Sequence, residues 1–505
     1  MFLPAFAYSH RSYARGRCPA CKDTAPRPKF LPQTGQPDFR ATKTVPQALR
    51  GLQLMLTILQ NRAFRHMFAA QVIAILGTGL ATVALGLIAY DLAGADAAMV
   101  LGMALTIKMV SYVTLAPIAA ALATQYPRRA WLVTLDVIRA MVALALPFVT
   151  EIWQIYVLIF LMQASSAGFT PAFQATIPDL LPEEEDYTRA LSLSRLAFDI
   201  ESLLSPSLAA LLLTLVAAES LFFGTALGFA ASALLVVSVA LPSPKPSKQL
   251  GFYDRTTLGI RIYLKTPRLR GLLGLSAVAA AISSIVIINT VVIMRVELGQ
   301  SEYMVALALA CFGGGSMLAA FTLPKLLERF SDRPVMLAGA AIAISAQLGV
   351  SVSSWVSGAS LAAVFLGWFL SGLGYSTILT PSGRLLKRSA RAENRPAVFA
   401  AQFTLSHGCW LITYPLAGWS MSHLGMVPSL LVLTGVATLG LIHAIRAWPS
   451  HDPEVRGHSH PDLPADHPHL LAHKKEGMAG ASSNHTHEFI IDNLHQEFPS
   501  DKGQA

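Results

Sequence analysis

Charge is what this chain has least of. Only 13% of its 505 residues are Asp, Glu, Lys or Arg, while 53% are hydrophobic. Soluble domains carry roughly 25% charged residues, so a chain this long and this apolar is not one large soluble core. The mean hydropathy of +0.51 points instead to many membrane spans, each needing about 20 mostly apolar residues. Cysteine is almost absent too. The four are Cys18, Cys21, Cys311 and Cys409, and the last two fall inside apolar segments, so no disulfide framework is visible. The "CPAC" pair, Cys18 and Cys21, has only His10 nearby, short of the roughly four ligands of a zinc site.

No GxxxxGK[ST] loop occurs, and no soluble segment is large enough to hold a nucleotide. "GGG" at Gly313–Gly315 lies in an apolar run with no strand before it. It is read as small residues for close helix packing, not as a dinucleotide loop. These absences exclude an ATP-driven pump, and with no nucleophile–base pair they exclude an enzyme. The net charge of +9 is not a nucleic-acid signal, because basic residues of membrane proteins collect on cytoplasmic loops.

What is present is a series of twelve long apolar segments, near 66–90, 98–123, 131–150, 153–177, 190–215, 219–241, 271–294, 303–324, 335–355, 360–381, 397–421 and 426–447. Each is long enough to cross a bilayer as a helix. The fold class expected is an all-α membrane protein of twelve transmembrane helices in two six-helix pseudo-symmetric halves. With the N-terminus inside, the inner loops carry Arg128, Arg129, Arg189, Arg195, seven basic residues from Lys245 to Arg270, Lys325, Arg329, Arg333 and five from Arg384 to Arg395; the outer loops carry Arg295 alone. The positive-inside rule then puts both termini in the cytoplasm.

The domain layout follows. Residues 1–60 form a basic, Pro- and Arg-rich extension read as disordered; Met55 is an alternative start, a functional arm the competing reading. The first six-helix half is 61–242, a basic cytoplasmic linker 243–270, the second half 271–448, and a histidine-rich disordered tail 449–505. The halves echo each other: "TPAFQATIPDLLPEEEDYTRA" leaves the fourth span and "GYSTILTPSGRLLKRSARAENRPA" the tenth, while "SPSLAALL" lies in the fifth and "YPLAGW" in the eleventh. Such internal symmetry marks transporters built from repeats.

At this point the chain resembles the major facilitator superfamily over roughly 60–448. The resemblance rests on the six-plus-six plan, the basic loops "QYPRRAW" and "RFSDRPV", and "TPAFQATIPDLLP" followed by "SPSLAALL". The usual glycine and aspartate of the first loop are missing from "ATQYPRRA". "RLAFDIESLLSPSLAA" and "FTLSHGCWLITYPLAGW", joined to the histidine tail, are similar to the nickel-resistance exporters. The resemblance implies a monomeric secondary transporter of the bacterial inner membrane, coupled to protons. It would need no resident cofactor and carry a divalent metal, Ni²⁺ foremost with Co or Zn as alternatives.

An ionisable group inside a span is costly and marks function by default. The candidates are Lys108, Asp136, Arg139, Asp199, Glu201 and His407. Asp136 and Arg139, three apart, are placed to pair, as a structural or a gating ion pair. Asp199 and Glu201 point about 200° apart on a helix. One is expected to line the pathway while the other meets a basic partner such as Lys108; a buried structural pair is the alternative. Aligning Pro206 of "SPSLA" with Pro415 of "YPLAG" puts Asp199 seven residues before one proline and His407 eight before the other; Glu201 and Cys409 fall five and six before. A carboxylate pair and an imidazole–thiol pair thus share a depth in equivalent helices. Superfamily members face these helices to the central cavity, so the resemblance implies a substrate and proton pathway through Asp199, Glu201, His407 and Cys409. Such ligands suit a borderline divalent metal. Asn289 and Gln71 are possible neutral ligands. A hydrogen-bonded core histidine and a cysteine filling space are the competing readings.

Nine of the fourteen histidines follow residue 450. His458, His460, His467, His469, His473, His485 and His487 form HSH, HPH, HxxxH and HTH spacings among interleaved carboxylates and prolines. Imidazole suits Ni, Zn, Cu and Co, so the tail is read as a flexible chelator, with solubilisation the alternative; "EFIIDNLHQEF" alternates enough to dock as a short segment. Ligand type does not separate nickel from zinc or copper; the preference for nickel comes from the resemblance. Export of a drug or metallophore, with the tail sensing metal, and a non-transporting membrane metal sensor remain as other readings.

Overall fold

The structure, a computed structural model, describes residues 56–93, 97–217, 220–242, 251–453, 455–459, 484–491, 494–495 and 498. In a bilayer each backbone N–H and C=O must be satisfied within its own segment, so the apolar runs become helices. The first half contains α1 (Arg62–Ala93), α2 (Ala97–Ala123), α3 (Arg128–Ala145), α4 (Ile152–Leu180), α5 (Glu184–Leu213) and α6 (Ser220–Val237). An amphipathic helix, α7 (Phe252–Lys265), follows. The second half contains α8 (Pro267–Glu297), α9 (Glu302–Arg329), α10 (Asp332–Ser357), α11 (Leu361–Leu379), a short α12 (Ser382–Arg388), α13 (Arg395–Leu424) and α14 (Met426–Ala447). Setting α7 and α12 aside leaves the twelve expected spans. Among the described residues ten are long and apolar enough to cross a membrane, α5 and α13 being the other two.

Local chemistry sets the helix ends. The side chain of Asn61 accepts the Phe64 N–H at 3.1 Å at the start of α1. Glu151 and Gln154 form a capping box on α4. Glu184, Glu185 and Asp186 crowd the first turn of α5, where the helix dipole favours acids. A single residue, Gly425, joins α13 to α14 with φ of 82°, a conformation that only glycine adopts without strain. α8 widens into π-helical turns at Ile285–Asn289 and Ile293–Glu297.

Packing repeats from half to half. α1 lies against α5 and α6, α2 against α4, and α3 against α4 and α6. In the same way α8 lies against α13 and α14, α9 against α11, and α10 against α11 and α14. The halves meet along two seams, α2 with α13 and α5 with α9. If α1–α6 are matched in order to the six spans of the second half, these seams are the same contact seen from each side.

The linker region contains a helix: α7 buries Ile262 and Tyr263 in a cluster with Leu269, Leu386 and Trp448. One expectation is corrected, for the tail is not wholly unfolded. β1 (Val455–Ser459) pairs antiparallel with β2 (Asn484–Glu488), with His458 opposite His485 in the register. Phe489 and Ile491 are buried in the same cluster as α7, and Asp452 bridges to the buried Arg268 at 3.1 Å. Apolar side chains at the end of the tail supply the burial that its polar composition obscures. Residues 1–55 of the extension, with Cys18 and Cys21, and His460, His467, His469 and His473 lie outside the described residues; Thr57–Gln60 form a short 3-10 helix with Ile58 buried.

The glycines of α9 and α11 permit an unusually close crossing. A Cβ at Gly315 would lie 1.8 Å from the Phe369 carbonyl oxygen, and one at Gly372 would lie 1.9 Å from that of Phe312. Gly372→Ala is therefore expected to destabilise the second half by about 2–3 kcal/mol, read as a lower melting temperature in detergent. Gly349→Ala, whose Cβ would meet nothing within 4 Å, serves as the neutral control.

Candidate functional site

The two seams carry the polar chemistry. His407 on α13, Tyr112 on α2, Asp199 on α5 and Ser316 on α9 stand eleven to fifteen residues from the helix ends on the basic face. At about 1.5 Å per residue this is roughly 16–22 Å in, near the middle of a ~30 Å hydrocarbon layer.

The α2–α13 seam is aromatic. The Tyr112 ring lies 4.8 Å from Phe403 and 4.9 Å, edge-on, from His407. His407 also lies 4.1 Å from Phe403 and 5.6 Å from Trp410. Its Nδ1 stands 2.7 Å from the Phe403 carbonyl. A carbonyl only accepts, so Nδ1 carries the proton and Nε2 of the neutral ring is an acceptor. Trp410 donates its N–H to Ser283 of α8 at 2.8 Å. One helical turn from Tyr112, the half-buried Lys108 sets its ammonium 5.8 Å from the Tyr112 ring centre.

The α5–α9 seam is ionic. Arg195 donates to Asp199 Oδ1 at 2.6 Å, and Ser316 of the other half donates to Oδ2 at 2.6 Å. Arg195 Nε also donates to Ser316 at 3.2 Å, and the guanidinium lies 4.7 Å over Tyr375 of α11. Asp199 is 4% exposed. Its basic partner is thus Arg195, one turn back on its own helix, and not Lys108, which belongs to the other seam. Glu201 is half-buried beside it.

Among the described residues no three His, Cys, Asp or Glu side chains come together as a metal site. The matched depth of Asp199 and His407 has a geometric consequence: equivalent positions in two related halves sit on opposite seams, so depth matching separates them. Cys409 is partly buried and donates to the Leu405 carbonyl at 3.4 Å. Asn289 is buried in a π-helical turn and donates to Ser429 of α14 at 3.2 Å. Gln71 accepts from Ser194 at 3.1 Å and ties α1 to α5. Asp136 pairs with Arg139 and accepts from Ser232 of α6 at 2.8 Å. The Arg139 guanidinium lies between Phe169 and Phe229, 4.0 and 4.6 Å from their centres. These contacts all lie within the first half, so the pair braces α3 against α4 and α6 and does not bridge the halves. In the tail, the rings of His487 and His495 meet at 4.9 Å beside Phe489.

A third polar layer closes the basic face, and it was read in the sequence only as loop charge. Asp179, at the end of α4, accepts from Arg128 at 2.6 Å and from Arg395 of α13. Arg384 of α12 contacts Asp332 at 2.7 Å, and also Glu184 and Thr188 of α5. Lys387 donates to the Pro182 carbonyl and lies 5.2 Å over Tyr187. Tyr187 is buried beneath these charges. The available signal was the equivalent placing of "IPDLLPEEEDYTR" and "GRLLKRSARAENR", acids in one half and bases in the other.

Asp136→Asn leaves Arg139 buried without its counter-charge and is expected to cost about 3–5 kcal/mol, measured as a lower melting temperature. Asp179→Asn, which removes the counter-charge of both Arg128 and Arg395, is expected to loosen the closed face. In an otherwise cysteine-free chain carrying Ser192→Cys, maleimide labelling should then rise about tenfold, equivalent to about 1.4 kcal/mol.

Comparison with known proteins agrees with this geometry. The Major Facilitator Superfamily profile matches residues 67–293 and 272–473. An uncharacterized MFS-type transporter, YfiS of Bacillus subtilis, is 22% identical over 297 residues, covering 57% of this chain and 70% of that protein. Macrolide efflux protein A of Streptococcus pyogenes is 26% identical over 184 residues, 35% of this chain and less than half (45%) of that protein. Among solved structures, the human organic anion transporter MFSD10 aligns with a TM-score of 0.66 at 14% identity, over 76% of this chain and 99% of that one. A bacterial homologue of the iron transporter ferroportin, in its outward-facing state, aligns with a TM-score of 0.64 at 15% identity and the same coverage. By its sequence match and by the architecture of its paired halves, the chain belongs to the major facilitator superfamily and is a multi-pass membrane transporter, not an enzyme.

Proposed function

We propose that this transporter is a bacterial inner-membrane exporter that carries a divalent transition metal, nickel foremost, out of the cytoplasm in exchange for protons. Both termini and the basic loops lie in the cytoplasm, and the chain acts as a monomer without a resident cofactor. The halves 61–242 and 271–448 rock about the two seams, joined by 243–270, with 449–505 as the metal-collecting tail. The observation that carries the metal reading is the histidine-rich tail, whose Phe489 and Ile491 are buried against α7 and whose Asp452 meets Arg268. This holds imidazoles at the same face that the Asp179 and Arg384 contacts close.

The chemistry of a cycle follows from the seams. In the described conformation the basic face is shut, so the pathway is closed to the cytoplasm. A proton reaching Asp199 cancels the charge that holds Arg195 and accepts from Ser316, which weakens the α5–α9 seam. Loss of that proton rebuilds it. His407, with Nε2 as acceptor, offers a second polar stop on the α2–α13 seam.

A second reading, export of an organic molecule such as a drug or metallophore, is favoured by the aromatic character of that seam and by the lack of a three-ligand metal cluster among the described residues. The macrolide efflux relative supports the same reading.

Expression in a metal-sensitive bacterial host is expected to raise tolerance to nickel more than to cobalt, zinc or copper. Tolerance raised to none of the four removes the metal reading and leaves the organic one. In metal-loaded vesicles, Asp199→Asn and His407→Ala are each expected to slow efflux about tenfold, a barrier change of about 1.4 kcal/mol. Unchanged efflux in both variants means that these residues are not in the pathway.

A further inference from the structure

Among the described residues at mid-membrane depth, Lys108 is a charge that the seam contacts leave unexplained. Asp136 is matched by Arg139, and Asp199 by Arg195. Glu201 makes contacts of its own. Lys108 stands eleven residues from the start of α2 and fifteen from its end. That is roughly 16 and 22 Å at 1.5 Å per residue, too deep for its stem to carry the ammonium to a headgroup. Among the described residues its close contact is the Tyr112 ring, and no carboxylate pairs with it. His407 in turn lies against Tyr112, Phe403 and Trp410. The group is therefore a cation on an aromatic wall where the two halves meet.

We infer that Lys108 is the anchor for a negatively charged group on the transported species, so that a metal crosses as an anionic organic chelate and not as a bare dication. A bare dication would meet an uncompensated ammonium, with no three-ligand cluster among the described residues to offset the repulsion. An anionic chelate would neutralise Lys108, stack its organic part on Tyr112 and Trp410, and bring its own donors to the metal. The wall suits a planar or carboxylate-rich ligand, while Nε2 of His407 accepts from any hydroxyl the ligand presents. This deepens the export reading and rests on it for the metal alone. An organic anion without metal would use the same anchor.

The test uses the full-length protein in proteoliposomes with three probes: nickel chloride in a non-coordinating buffer, the anionic one-to-one nickel–citrate complex, and citrate alone. Nickel–citrate is expected to move at least tenfold faster than aqueous nickel. Lys108→Gln should abolish that preference, and Lys108→Arg should keep most of it, which shows that the variants fold and that charge is what matters. Faster movement of aqueous nickel, or a preference unchanged in Lys108→Gln, overturns the inference while leaving metal export in place. Lys108-dependent movement of citrate with no movement of nickel in either form upholds the anchor and removes the metal reading. Absence of Lys108-dependent movement of either anionic probe overturns the anchor.

Discussion

The structure depends on one contact made twice. Because the second half repeats the first, the helix pair α2–α13 and the helix pair α5–α9 are equivalent, and whatever holds one is answered by what holds the other. The chain has filled these equivalent places differently. One seam is held by rings in tilted and edge-on contact. The other is held by a carboxylate, a guanidinium and a hydroxyl, whose attraction changes greatly when a proton arrives. A symmetric framework thus acquires one aromatic joint and one ionic joint.

The closed basic face follows another rule. Arginine and lysine in membrane proteins settle on the cytoplasmic side during insertion, and here several of them serve again as fasteners between the halves. Arg384 reaches Glu184 and Thr188, and Arg395 reaches Asp179. Ion pairs that are part buried return only a little more than their desolvation costs. A fastener of small net strength is useful in a transporter, since it must open in every cycle. Tyr187, buried between the two sets of charges, adds packing beneath Lys387.

Much of the fold was legible in the sequence because a bilayer allows an apolar run few alternatives. α7 was not, since the prolines and charges around it resemble a flexible connection, and its burial against α8 and α13 is a tertiary fact. Asp136 with Arg139 was legible because three residues make one helical turn. Arg195 with Asp199 has the same kind of spacing, yet Arg195 was counted with the loops, and Lys108 took its place as the expected partner. Asp179 and Arg395, 216 residues apart, meet only through the symmetry of the halves, and no local pattern reports that. The tail was legible in part: the alternation of "EFIIDNLHQEF" pointed to docking, and Phe489 and Ile491 are buried, while the histidines and prolines gave no sign of the β1–β2 pairing.

Gly425 gives the second half a mechanical character that the first lacks. With a single residue between them, the end of α13 and the start of α14 cannot draw apart. Their counterparts α5 and α6 are separated by a longer stretch from Thr214 onward. A displacement of α13 is therefore shared with the start of α14, and both helices pack on α8, where the π-helical turns lie.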